Sequence, residues 1–167
     1  MDEQARVLSD YRLEKAEQCL RSAEAILQIG EDYNLVVNRS YYAVSHCMRS
    51  ILALEGKDFE KHSAVISYFR REYIKTKLIP VEASQIIGNA FSNRNDSDYE
   101  DFYEASLKEA TEQFEDAKRF LKIFCANKQA ADLWLRLVLP VISFAWFQHL
   151  SWQAGYPAQK SASAGLC

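Results

Sequence analysis

Arg94 stands inside a polar stretch, Ser92 to Phe102, that also holds Asn95, Asp96, Asp98, Tyr99, Glu100 and Asp101. Ile87 and Phe91 precede it by seven and three residues, so on a helix Arg94 falls on the core-facing side. A cation is normally excluded from that side unless it is paired or used. The plainest reading is a helix end whose acidic residues cap the next helix, with Arg94 paired to Asp96, Asp98 or Asp101. The other is a working site. A second constellation lies upstream, where Arg39, Tyr42, His46 and Arg49 fall at i, i+3, i+7 and i+10 and so share one helical face. Two arginines and a histidine on one line suit a phosphate. The same residues also suit a solvent edge, or a seam facing a second subunit.

The elements that must position these residues are helical throughout. Leu13, Ala16, Leu20, Ala23 and Leu27 predict a first helix from about Ser9 or Asp10 to Ile29, with Gly30 as its stop. A second, from about Asp32 to Glu55, is apolar on most of its circumference, which marks it as central. A third spans about His62 to Thr76, with His62 expected as a helix-start residue bonding to backbone. Pro80 fits the first turn of a fourth, which carries Ile86, Ile87, Ala90 and Phe91 inward and ends at the polar stretch. In the fifth, Ser106 and Glu109 form a capping box, and Leu107, Ala110, Phe114, Ala117, Leu121 and Phe124 repeat in steps of three and four. No sustained alternation supports a strand. The expected fold is all-α, an up-and-down bundle of about five helices over residues 1–126. An apolar C-terminal extension, 127–167, is expected beyond it.

Composition narrows the function classes. With 49% hydrophobic and 26% charged residues, the 167-residue chain is globular rather than disordered. A net charge of −3 gives no global attraction to nucleic acid, so RNA binding would need a local patch. The cluster of Lys57, Lys61, Arg70, Arg71, Lys75 and Lys77 is one such positive surface. Four scattered cysteines without a paired spacing, and only three histidines, predict free thiols and neither metal nor cofactor. Met1-Asp2-Glu3-Gln4 has no basic, apolar leader pattern, so a cytoplasmic protein is expected. Leu133–Leu150 is apolar but interrupted by Arg136, Pro140, Gln148 and His149; against the ~20 apolar residues of a membrane span, an extra packed helix fits better.

Three stretches carry a family resemblance. Asn38-Arg39-Ser40-Tyr41-Tyr42-Ala43-Val44-Ser45-His46 resembles the helix-two motif of HEPN domains, small helical proteins that pair with minimal nucleotidyltransferases in prokaryotes. Lys61 through Phe69 resembles that family's helix-three start, and Arg94 through Phe102 its polar motif after helix four. The likeness covers roughly residues 10 to 126. It implies a homodimer, a nucleotidyltransferase partner protein and a toxin–antitoxin-like role. Toxic members are metal-independent ribonucleases that juxtapose two copies of an arginine–polar–spacer–histidine motif across a dimer. Arg94 and Asn95 match the start of that motif, with Asp98 inside it, but Tyr99 stands where the histidine would be. An unperturbed tyrosine, with a pKa of about 10, is a poor base at neutral pH. His46, supported by Arg39, is the candidate to replace the histidine if helices two and four are neighbours. Related toxins are silenced by adenylylation of a tyrosine near the motif, for which Tyr99 and Tyr103 are the candidates. The alternative is a non-catalytic helical interaction or scaffold protein built on a structural arginine–carboxylate cluster.

Overall fold

The structure, a computed structural model, describes residues 3–99 and 103–127, with backbone alone for 96–99. The chain divides into two compact units, Met1–Leu133 and Trp134–Cys167. The second lies outside the described residues, as does the apolar run from Leu133 to Leu150. The described residues form helices and no strand: α1 (Glu3–Ile29), α2 (Tyr33–Leu54), α3 (His62–Phe69), α4 (Glu82–Tyr99) and α5 (107–127). The expected all-α bundle of five helices is what forms.

α1 and α2 make an antiparallel hairpin. Gly30 ends α1 at φ 78°, a left-handed conformation that costs glycine nothing, and its N–H reaches the Ile26 carbonyl at 3.0 Å. Two residues later the Asp32 carboxylate caps α2 by accepting from the Leu35 N–H at 2.8 Å. At the far end Arg12 donates to the Arg49 carbonyl at 3.0 Å. α1 begins at Glu3 rather than near Ser9. Its early apolar residues Val7, Leu8 and Tyr11 are exposed, so they gave no core-facing stripe from which the start was readable.

α2 is the central element. Val36, Val37, Tyr41, Val44, Met48 and Ile51 are fully buried, because α1, α3 and α4 all pack against it. Leu35, in its first turn, is exposed at the edge. The third helical segment stops being α-helical at Phe69 and continues as a π-type turn, Arg70–Ile74, with the Lys75 N–H reaching back to the Arg70 carbonyl at 3.0 Å. That wider turn delivers Tyr73 and Ile74 to the core. The phenols of Tyr73 and Tyr68 both donate to the Glu55 carboxylate, which also pairs with Lys57 at 3.2 Å. One acidic side chain at the end of α2 thus ties down the whole third segment.

α4 begins just after Pro80, whose carbonyl accepts from Ala83 at 3.1 Å, and does not end at the polar stretch. It runs on through Ser92 to Tyr99. α5 starts with the expected box: Ser106 N–H and hydroxyl both donate to the Glu109 carboxylate, at 2.8 and 2.7 Å, and Glu109 N–H donates to the Ser106 hydroxyl at 3.2 Å. Ala110, Phe114, Ala117 and Phe124 face the core, whereas Leu107, in the first turn, is 54% exposed. The inward polar residue is Gln113, which is 4% exposed. Its amide donates to the carbonyls of Val37 and Ala90, at 3.2 and 3.4 Å, and accepts from Asn93 at 2.7 Å. It thereby locks α5 to α2 and α4 at once.

Candidate functional site

The site is assembled where α4 crosses α2 and the start of α3. Phe91 packs its ring 6.1 Å from that of Tyr41, and one turn later the Arg94 guanidinium lies over the same Tyr41 ring, 5.9 Å from its centroid. The core-facing placement of Arg94 therefore holds: it is half-buried and rests on an aromatic face. Arg94 also donates to the Asn95 side-chain carbonyl at 3.3 Å. The side chains of Asp98 and Tyr99 lie outside the described residues, so the pairing of Arg94 with Asp96, Asp98 or Asp101 does too. Tyr103 is half-buried, and its carbonyl accepts from Asn34 at 3.2 Å.

Tyr41 is the hinge of the arrangement. It is 1% exposed, and a buried phenol needs a polar partner. It finds one in His62, whose Nδ1 is 2.6 Å from the Tyr41 hydroxyl oxygen. His62 begins α3 as expected, but its partner is this side chain rather than backbone. Burial pushes the Tyr41 phenol up to about 12, against the opposing pull of Ser45 and of the Arg94 charge. Tyr41 thus stays protonated through the whole neutral range. Burial, then the charges of Arg49 and Arg94, hold His62 below the usual histidine value.

The α2 stripe forms the adjoining surface. Arg39, Tyr42, His46 and Arg49 are all half-buried on one side of the helix. The Arg39 guanidinium lies over the Tyr42 ring, 5.7 Å from its centroid. Tyr42 stands between the two histidines, its ring 6.4 Å from that of His46 and 6.1 Å from that of His62. Burial and then the charges of Arg49, Arg12, Lys15 and Arg39 depress the His46 pKa. Arg49 is committed within the fold: it donates to Asp58 at 2.6 Å and to the Phe59 carbonyl at 2.9 Å. Asp58 also takes Arg12, at 2.7 Å. Partial burial works against the ionised form of Asp58, but Arg12, the Phe59 N–H and Arg49 outweigh it and lower the pKa.

Arg94, Asn95, Tyr41 and His62 are brought together from three helices, and Arg39, Tyr42 and His46 flank them. Sequence reasoning gave His62 no such role. Its signal was available in part, since Tyr41 falls on a face of α2 that is otherwise apolar and needs a polar partner. The spacing from 41 to 62 does not say which residue supplies it.

Both depressed histidines make stability depend on pH in a defined direction. The unfolded chain takes up protons at these sites below about pH 6.5 while the folded chain resists. Stability is therefore full above that pH and falls as the pH drops through it. The melting temperature should decline from pH 7 to pH 5, and a His46→Gln, His62→Gln double variant should show a flatter decline. An equal slope in the two proteins would place the effect elsewhere.

Among the described residues no cluster of three or more histidines, cysteines or carboxylates is arranged to hold a metal ion, and no helix is long and apolar enough to cross a membrane. The HEPN domain family model matches residues 9–128. A Methanocaldococcus jannaschii protein that carries the name "Putative toxin" is 34% identical over 98 residues, 59% of this chain and 66% of that protein. A Thermotoga maritima "UPF0332 protein" is 30% identical over 121 residues, 72% of this chain and 90% of the relative. With the motif-bearing stretches converging on one helical crossing and the match spanning the described bundle, the chain belongs to the HEPN domain family.

Proposed function

We propose that this HEPN protein is a metal-independent endoribonuclease of a toxin–antitoxin-like pair, working as a homodimer and held in check by a minimal nucleotidyltransferase partner in the cytoplasm. The observation that carries the reading is Arg94 half-buried on the Tyr41 ring with an imidazole bonded to the hydroxyl of that phenol. A guanidinium placed on the core-facing side of a helix next to a histidine is positioned to neutralise a scissile phosphate. The relative named as a toxin supports the same direction. In this reading the catalytic machinery is the bundle up to residue 126, and residues 127–167 are an appended segment. Arg39 and Tyr42, on the adjoining face, contact RNA or the second subunit.

A second reading rests on Tyr99 at the histidine position of the motif: a dimeric interaction module that binds the nucleotidyltransferase and cleaves nothing. Tyr99 and Tyr103 are then the residues that the partner would adenylylate. Incubating the purified protein with RNA in the presence of a chelator separates the readings. Cleavage to fragments ending in a 2′,3′-cyclic phosphate is expected. Intact RNA with an intact dimer by light scattering would favour the interaction module, and an intact-mass shift after incubation with the partner and ATP would confirm it.

A further inference from the structure

The ribonuclease motif of this chain lacks its histidine, and transesterification of RNA still needs a group to take the 2′-hydroxyl proton. His46, on the α2 stripe, is the substitute that spacing alone suggests. The two histidines, each with its ring about 6 Å from that of Tyr42, have different neighbours. His46 lies among the charges of Arg49, Arg12, Lys15 and Arg39. The Nδ1 of His62 is bonded to the same Tyr41 that carries the Arg94 guanidinium.

Resting on the ribonuclease reading, we propose that His62 is the proton-transfer residue of the Arg94 site and that Tyr41 positions it. A general base must be oriented, neutral and accessible. Tyr41 supplies the orientation, because a fully buried phenol at 2.6 Å fixes the imidazole through Nδ1. The 2.6 Å contact accommodates either tautomer, and in the one with Nδ1–H donating to the Tyr41 oxygen Nε2 carries the lone pair that a base needs. No described residue takes Nε2 as a hydrogen-bond partner, and His62 is only half-buried. Neutrality follows first from partial burial and then from the charges of Arg49 on α2 and Arg94 on α4, with the Tyr41 and Tyr42 rings also beside it. Among the described residues, none of these groups is a carboxylate that would hold a proton on the ring.

The step balances without a co-reactant. The 2′-hydroxyl proton passes to Nε2 as the 2′-oxygen forms its bond to phosphorus. Arg94 neutralises the charge gathering on the non-bridging oxygens. The bond from phosphorus to the 5′-oxygen breaks, and the departing oxygen takes a proton from water. The imidazolium then returns its proton to solvent, leaving a 2′,3′-cyclic phosphate and a 5′-hydroxyl.

The test has an arm that does not depend on cleavage. A 2′-O-methylated oligoribonucleotide cannot be cut, yet it places a phosphate at the site. In an NMR pH titration of the wild-type protein it should raise the His62 pKa by roughly one unit, as a nearby anion does, and by much less in Arg94→Ala. In the cleavage arm, His62→Gln should lower kcat by about 10²–10⁴-fold, the usual worth of a general base, with little change in KM. His46→Gln should stay within a few-fold. Tyr41→Phe should lower kcat and displace the acid limb of the pH–rate profile, a change that mere loss of packing would not produce. Cleavage by the wild type with His62 unmoved by the oligonucleotide, or with His62→Gln fully active, overturns this inference and spares the ribonuclease reading. His62 responding while all-ribose RNA stays intact contradicts both.

Discussion

Arg94→Ala is expected to lower the rate of RNA cleavage by roughly 10²–10³-fold, the usual loss when a charge-stabilising donor is removed from a preorganised site. The helical circular dichroism should be retained. Arg94 is half-buried and rests on Tyr41 rather than inside the core, so its truncation leaves Tyr41 held by His62 and Phe91. Arg94→Lys should recover only part of the activity, because an ammonium cannot reproduce the planar, multidentate fork of a guanidinium. Full activity in Arg94→Ala would remove Arg94 from the chemistry and restore the reading of a structural cation.

The second large effect concerns the fold. Glu55→Ala is expected to destabilise the protein by roughly 3 kcal/mol, the sum of a lost charge-assisted hydrogen bond and a buried donor left unsatisfied. The Glu55 side chain is 10% exposed. It accepts from Tyr73, a phenol that is 1% exposed and has no alternative acceptor among its described contacts. Burial and the Glu55 carboxylate both push the Tyr73 pKa far up, so the phenol keeps its proton and must donate it somewhere. Denaturant unfolding of Glu55→Ala beside Tyr73→Phe checks the account. The double variant should be less destabilised than the two single losses added together, because it has no buried Tyr73 hydroxyl left without an acceptor. Strict additivity would show that the two groups do not interact.

These effects also mark what was legible in the sequence. The α2 pattern announced a central helix, since apolar residues on every side require neighbours on every side. The Ser106–Glu109 box announced the start of α5, because both partners of that motif are local. The core-facing position of Arg94 followed from Ile87 and Phe91 alone. Less legible was the continuation of α4 through Ser92–Tyr99. A run of polar residues reads as an interruption when only local hydrophobicity is weighed, yet Asn93 is bonded to Gln113 and Arg94 lies on Tyr41, so tertiary contacts carry the helix onward. Gln113 itself was passed over for the same reason. Its burial is satisfied by carbonyls of Val37 and Ala90, which are remote in sequence. The π-type turn after Phe69 had no sequence signature at all.

The site shows the same division. Arg94 and the α2 stripe were visible as residues of the right type at helical spacing. Their partnership was not, because periodicity within one helix says nothing of the angle at which another crosses it. Only the crossing of α4 over α2 brings Arg94 to Tyr41, and only the loop through Asp58 returns His62 to the same ring. That loop is anchored by Arg12 and Arg49 on Asp58, so Arg49, which spacing offered for a phosphate, serves instead to place the histidine.

The central claim is that this bundle cleaves RNA by attack of its own 2′-hydroxyl at the Arg94 site, without a metal. The most direct measurement follows a defined oligoribonucleotide in excess chelator, beside the same oligonucleotide with a single 2′-deoxy substitution at the cleavage point. The account predicts cleavage of the first to a 2′,3′-cyclic phosphate and a 5′-hydroxyl, and no cleavage of the second at that position. Equal cleavage of both, or cleavage of the first only when a divalent metal is restored, would contradict it.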